Sequence, residues 1–239
     1  MAHFTVSLQP GRHPLVLIQN LNNLRLHIEK SANLLAPPAG DAIIHRMNIQ
    51  YLELSPASAA RLSDEIVSIY AAAFAPPPYL RGETEAQTFA GIFAQHCGRE
   101  GFRCIVARAG SDQPLVGFVY GFASLPGQWW YDQVAQRMPP ELQARWLHNS
   151  FELTELAVLP SHQGLGIGGQ LHDRLLNGLP QRTALLSTMQ TETNAMALYR
   201  KRGWQPLLHD FLFSGAARLY VILGKDLPPR APHLDGRQK

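Results

Sequence analysis

Between Phe151 and Leu179 the chain passes from an apolar strand into a glycine-rich turn and then into an amphipathic helix. The strand is Phe-Glu-Leu-Thr-Glu-Leu-Ala-Val-Leu, and it stops at Pro160. The turn is Ser-His-Gln-Gly-Leu-Gly-Ile-Gly-Gly, after which Ile167, Leu171, Leu175 and Leu179 recur at helical spacing. Gly164, Gly166, Gly168 and Gly169 remove side chains where strand gives way to helix. Backbone N–H groups can converge there on an anion, helped by roughly half a positive charge at the helix N-terminus. A phosphate or pyrophosphate is the natural guest.

Gly164, Gly166 and Gly169 also spell the G-x-G-x-x-G of dinucleotide sites. That fingerprint follows its strand directly and expects an acidic residue about 20 positions on. Here Pro-Ser-His-Gln intervenes, and the next strand ends in Met189-Gln190. A P-loop fails as well, because no Gly-Lys-Ser/Thr follows.

At 239 residues, with about 150 expected per domain, the chain suits one large domain or one domain plus an appendage. Apolar residues at 46% and charged residues at 16% exclude a coiled coil, a collagen-like fibre and a highly charged disordered chain. The net charge of +3 comes without a block of like charges, so neither nucleic acid nor a membrane is expected as a partner. The longest apolar run, Leu115 to Ala123, is about half a spanning helix. The N-terminus has no basic segment followed by an apolar one, and a cytoplasmic location is expected. Cys97 and Cys104 read as small core residues, and no metal site is expected.

Residues 1–46 stand apart as an N-terminal extension of undecided period, either a docking arm or translated sequence upstream of Met47. From Met47 a strand leads to Ser55-Pro56, a helix start, and one helix is expected up to Pro76-Pro77-Pro78. A second follows Gly82 with Phe89, Ile92, Phe93 and Cys97 inward. Phe102–Ala109 and Leu115–Phe122 read as a hairpin. The connection from Ser124 to Ser150 is long enough to be functional, with a short helix after Pro139-Pro140 and with Trp129, Trp130 and Tyr131 as candidate walls of an acceptor pocket, alongside Phe74 and Tyr79. Thr183–Met189 is a strand, Asn194–Arg202 a helix closed by Gly203, and two strand candidates follow before a tail, residues 228–239, expected to be disordered. This order implies a mixed sheet covered by helices.

Gln163-Gly164-Leu165-Gly166-Ile167-Gly168 resembles the Gln/Arg-x-x-Gly-x-Gly/Ala signature of the GNAT superfamily of acetyl-CoA-dependent N-acetyltransferases. Glu155-Leu-Ala-Val-Leu-Pro resembles that family's central strand, and Ala195 to Trp204 its later Ala-x-x-Leu-Tyr-x-x-x-Gly-Phe/Trp helix. The resemblance covers residues 47–227. It implies an α/β fold with a mixed, mostly antiparallel central sheet flanked by helices. It also implies acetyl transfer from acetyl-CoA directly to a primary amine, on a small molecule or a peptide. Gln163, Gly164, Leu165, Gly166, Ile167, Gly168 and Gly169 would hold the coenzyme A pyrophosphate. Leu156, Ala157 and Val158 would pair with the pantetheine arm, the Val158 N–H facing the oxyanion. Glu192 stands where many members have Asn, and Asn194 is the expected substitute in binding the cofactor.

Tyr199 shares a helical face with Ala195, and the resemblance makes it the donor to the departing thiolate. Strand alternation groups Glu155 with Leu153 and Ala157. A carboxylate there is costly unless it is paired or faces a cavity, so Glu155 is either the base for the amine or a structural residue. Glu152 is expected at a solvated rim, His148 is a rival base, and His162 is expected in solvent. A non-catalytic acyl-CoA-binding module and a nicotinamide-dependent oxidoreductase stand as alternatives.

Overall fold

The computed structural model describes residues 48–229 except residue 112. The expectations for residues 1–46 and for the tail past residue 229 lie outside the described residues. Seven strands alternate with helices: β1 (Gln50–Leu54), α1 (Pro56–Arg61), α2 (Ser63–Phe74), α3 (Glu83–His96), β2 (Arg103–Arg108), β3 (Leu115–Ser124), α4 (Trp129–Arg137), β4 (Ser150–Val158), α5 (Ile167–Leu176), β5 (Thr183–Met189), α6 (Asn194–Lys201), β6 (Gln205–Phe211) and β7 (Tyr220–Asp226). A helical turn at Pro140–Leu142 and a π-helical turn at Gln143–Leu147 lead into β4.

The strands form one sheet in the order β1-β2-β3-β4-β5-β7-β6. Every neighbouring pair is antiparallel except β4 with β5. A parallel pair needs a long crossover, and α5 supplies it. The architecture is thus the expected α/β one, mixed and mostly antiparallel with helices on both faces. One core packs α5 and α6 onto the sheet through Leu171, Leu175, Tyr199, Val119, Leu153 and Leu186. A second buries Ile66 of α2 and Phe89 and Phe93 of α3 against Cys104, Phe118 and Tyr120. A third joins Trp130, Val134 and Trp146 to Leu185, Phe211 and Ile222.

Two features position the site. First, β4 pairs with β5 over three rungs only, Ser150↔Thr183, Phe151↔Ala184 and Glu152↔Leu185, and beyond them the strands part. Second, β4 carries a bulge. Tyr120 pairs with Glu155 and Gly121 with Leu153, so Thr154 has no partner on β3. A Cβ on Gly121 would collide with the Glu152 carbonyl and come 2.5 Å from the Phe151 ring, so only glycine admits this close approach.

The bulge corrects two expectations. Cross-strand partners share a face, so Glu155 lies with Tyr120 on the α2/α3 side, whereas Leu153 belongs to the core under α5. Glu155 therefore shares its face with Ala157 but not with Leu153. Glu152, opposite Phe122, sits on that same α2/α3 side and is buried at 5% exposure instead of lying at a solvated rim. The helix expected to run unbroken from Pro56 is two helices, because Leu62 leaves helical geometry at ψ 14°. Its start stands: Ser55 Oγ accepts the Ser58 N–H at 3.2 Å. Ile92 is exposed, one step round α3 from the inward Phe89–Phe93 stripe. Trp129, Trp130 and Tyr131 open α4 instead of lying in a loop. Cys97 and Cys104 are buried in the second core, as expected.

Candidate active site

Two open regions flank β4 where it leaves β5. One is the glycine turn. Gly164 and Gly166 adopt φ of 77° and 80°, the left-handed region that glycine enters without strain, and a Cβ on either would meet nothing within 4 Å. Their surfaces face open space. Gly166 is the N-cap of α5, with no side-chain cap and no acidic residue in the first turn. The first amide of α5 bonded back to the cap is that of Gln170, to Gly166 O at 3.1 Å. The N–H groups of Ile167, Gly168 and Gly169 are therefore the open donors every helix start leaves. Ile167 offers only its backbone, since its side chain is buried, and Leu165 is exposed.

Gly169 has a different reason for its missing side chain: a Cβ there would run into the Arg202 guanidinium, with Cζ at 2.9 Å. Arg202 reaches across to bond Asp173, Nε to Oδ1 at 2.7 Å and Nη2 to Oδ2 at 3.1 Å, tying α6 to α5. Gln163 donates from Nε2 to the Val158 carbonyl at 3.0 Å, fastening the turn to the end of β4.

The parted edge of β4 continues this region. Leu159 N–H donates to Val116 O of β3 at 2.9 Å. Amides alternate along a strand, so those of Val158 and Leu156 point away from β3, into the gap toward β5, while that of Ala157 points into the ladder. Of the three residues expected along a pantetheine arm, Leu156 and Val158 thus present backbone groups and Ala157 presents none. Asn194 is exposed at the first position of α6, behind Thr193, whose Oγ1 accepts the Met196 N–H at 3.0 Å. Glu192 is paired with Arg200.

The second region is a cavity of about 630 Å³ on the α2/α3 side. Tyr70, Tyr79, Phe89 and Tyr120 form an aromatic wall, Thr154 and Glu155 come from the bulge, and Met189, Arg218 and Tyr220 close the far side. Arg81 places Nη1 3.7 Å from Glu155 Oε1 and donates to Tyr70 Oη. Its guanidinium lies over the rings of Tyr70 at 5.4 Å and Phe74 at 5.0 Å. Arg218 donates to the carbonyls of Pro78 at 2.5 Å and Tyr79 at 2.9 Å, fixing the Pro76–Gly82 segment against the far wall.

Burial holds the Glu155 carboxyl above the ordinary range, and the Arg81 charge pulls against that. Glu152 is pushed up to about 8 by burial, with Arg99 opposing, and its Oε2 has no hydrogen-bond partner. Burial raises the Tyr199 phenol well above its usual range, and the Glu155 charge adds to it, so the phenol stays protonated at neutral pH. The Tyr199 ring is held edge-on to Trp204 at 5.7 Å. Trp204 Nε1 donates to His172 Nε2 at 2.8 Å, which places the imidazole proton on Nδ1, 2.7 Å from Asp173 Oδ1.

The structure brings Glu155 to the cavity and the glycine turn to the start of α5, and it buries Tyr199 in the first core, outside the cavity lining. It does not bring Trp129–Tyr131 there: Trp130 packs in the third core and bonds Ser187 Oγ at 3.2 Å, and Trp129 stacks on Phe213 at 5.4 Å. Tyr79 is a wall residue, and Phe74 supports it edge-on at 4.9 Å. His148 is exposed and His162 half-buried beside Ser161, and neither lines the cavity. Tyr70, Arg81 and Arg218 are the residues sequence reasoning missed. Arg81 follows a proline run that reads only as a helix stop, and Arg218 sits in an unpatterned loop.

The Acetyltransferase (GNAT) family profile matches residues 64–204. The GCN5-like protein acetyltransferase Rv2170 of Mycobacterium tuberculosis is 41% identical over 126 residues, which are 49% of this chain and 61% of the relative. The alignment thus spans less than two thirds of that relative's length. The crystal structure of PH1933 from Pyrococcus horikoshii OT3 superposes with a TM-score of 0.53 at 18% identity, over 75% of this chain and 99% of that one. A PaiA N-acetyltransferase from Thermoplasma acidophilum, solved with coenzyme A, gives 0.51 at 13% identity over 75% and 99%. These two likenesses are of fold. With more than half of its length matched by the family profile, the chain belongs to the acetyltransferase (GNAT) family.

Proposed function

We propose that the protein transfers the acetyl group of acetyl-CoA directly to a primary amine. The observation that carries this is the adjacency around β4: bare helix-start amides and open strand amides on one side, and a carboxylate-bearing cavity on the other. The uncapped N–H groups of Ile167, Gly168 and Gly169, with the open faces of Gly164 and Gly166, suit a diphosphate. Gln163 and Leu165 contribute their place in the turn, and Asn194 offers an exposed amide at the start of α6. The gap between β4 and β5 suits an extended arm that pairs with the amides of Leu156 and Val158, as an added strand would. The PaiA N-acetyltransferase was solved with coenzyme A, which supports the same cosubstrate here.

The bound thioester supplies the activated acyl carbon. Glu155, on the cavity side, accepts a proton from the ammonium form of the acceptor, directly or through water. The Val158 N–H faces the gap where a carbonyl oxygen gathers charge, and a preorganised donor at such a place is worth about 3 kcal/mol. The freed amine forms its bond to the acyl carbon, and the C–S bond breaks as the tetrahedral intermediate collapses. Tyr199, protonated at neutral pH, gives a proton to the departing thiolate, and the second proton shed by the nitrogen passes through water to restore the phenol. A fit between a primary amine and this site, with no acyl-enzyme, is tested by mixing protein, acetyl-CoA and a panel of amines and measuring free coenzyme A. Turnover with at least one amine supports transfer, while coenzyme A affinity without turnover makes the protein a binding module.

A further inference from the structure

The cavity wall carries two guanidinium groups, Arg81 and Arg218, and two carboxylates, Glu85 and Glu155. Glu85 is already engaged, accepting the Gly82 N–H at 2.9 Å. Glu155 has Arg81 Nη1 at 3.7 Å, beyond a direct hydrogen bond, and no closer donor among the described residues. Arg81 itself uses one of its five donors, Nη1 to Tyr70 Oη. Among the described residues Nε and Nη2 make no hydrogen bond, and neither is a buried unsatisfied atom, so both are accessible on a residue that lines the cavity. The Tyr70 hydroxyl and the rings of Tyr70 and Phe74, whose centroids lie 5.4 and 5.0 Å from the guanidinium carbon, hold the group by its Nη1 side. An anchored guanidinium edge is a receptor for a planar anion. Beside it stands a carboxylate that needs an ammonium.

We propose that the acceptor is an amino-carboxylate, a primary amine with a carboxylate a few bonds away. Its ammonium meets Glu155, its carboxylate meets the free edge of Arg81, and its body lies along the tyrosine wall. Arg218, across the cavity, carries no carboxylate partner among the described residues and draws the anionic end the same way. An ammonium and a carboxylate on one acceptor match a wall holding two charges of each sign. A polyamine would set its further ammonium groups against two guanidiniums. This inference rests on the acetyl-transfer reading and names the substrate class of that same site.

Matched pairs that differ only by the carboxylate test it: phenylalanine against phenethylamine, and lysine against cadaverine. With acetyl-CoA, kcat/KM for the carboxylate-bearing member should exceed that of its partner by about tenfold or more, the discrimination of one charge-assisted hydrogen bond. Arg81→Gln and Arg218→Gln should each pull that ratio toward one. Because the ratio compares two acceptors on one protein, it cancels any general loss from disturbing Glu155. Calorimetric titration of the same pairs onto protein holding coenzyme A reads recognition without turnover. Equal or reversed preference in the unaltered protein, or a preference that survives both substitutions, overturns the inference. Acetylation of amines without that preference leaves the transfer reading standing. Absence of turnover with every amine removes the transfer reading, and the titration still decides recognition.

Discussion

Glu155 lies directly across the β3–β4 ladder from Tyr120, on the face covered by α2 and α3, only because Thr154 bulges out of β4 between Glu155 and Leu153. In a regular strand Glu155 would share its face with Leu153, in the core beneath α5. One unpaired residue thus decides whether this carboxylate meets a cavity or a core.

Glu155→Gln should lower kcat by roughly 10²- to 10⁴-fold, the usual worth of a positioned base. Activity needs the carboxylate ionised, and burial holds its pKa above the ordinary range. The rate should therefore rise with pH through that raised pKa, and the limb should vanish in the Gln variant. Arg81 opposes the shift, so Arg81→Gln should move the limb to higher pH. A pH–rate profile that keeps its acid limb in Glu155→Gln assigns the base to another group.

Tyr199→Phe should lower turnover by a factor in that same range while leaving acetyl-CoA affinity nearly unchanged, since only the hydroxyl is lost. Single-turnover rates and calorimetry separate the two quantities. An unchanged rate would remove Tyr199 from proton transfer and leave it as a packing partner of Trp204.

Gly166→Val places a β-branched residue at φ 80°, at a cost of about 1–2 kcal/mol, and sends a side chain into the open space before α5. Coenzyme A binding should be lost while the protein stays folded. Normal affinity in a folded Gly166→Val variant would show that the diphosphate does not sit on this turn.

Glu152→Gln tests a buried carboxyl. Its folded-state pKa of about 8 lies above the unfolded value, so folding favours the protonated form. The stability this gives is fully present below the ordinary carboxyl pKa and is lost as pH rises toward 8, a change on the order of a few kcal/mol. Urea unfolding at pH 5 and pH 9 should show that loss in the unaltered protein and much less of it in Glu152→Gln. Equal pH dependence in both would mean that the carboxyl is hydrated or paired.

The elements around the glycine turn are legible because each has a local cause: an apolar run in β4, glycines at positive φ, and an apolar stripe along α5. β5 has the expected bounds, Thr183–Met189, and Gly203, at φ 75°, closes α6. The bulge was not legible, because its cause is the close approach of Gly121 to Phe151 and Glu152 on another strand. Alternation carried across Thr154 therefore put Glu155 with the wrong neighbour and Glu152 in solvent. The place of Trp129–Tyr131 in a long connection suggests a pocket wall, yet Trp130 and Tyr131 complete the third core and Trp129 stacks on Phe213. Arg81 is not legible in the sequence because its role depends on Tyr70, Phe74 and Glu155, which lie 7 to 74 positions away.

A crystal structure of the protein soaked with coenzyme A tests the proposed placement of the cosubstrate on the glycine turn. The diphosphate should lie within hydrogen-bond distance of main-chain N–H groups between Gly164 and Gly169, with the pantetheine arm along Leu156 and Val158 in the gap toward β5. A coenzyme bound elsewhere, or a gap closed by continued β4–β5 pairing, would contradict it.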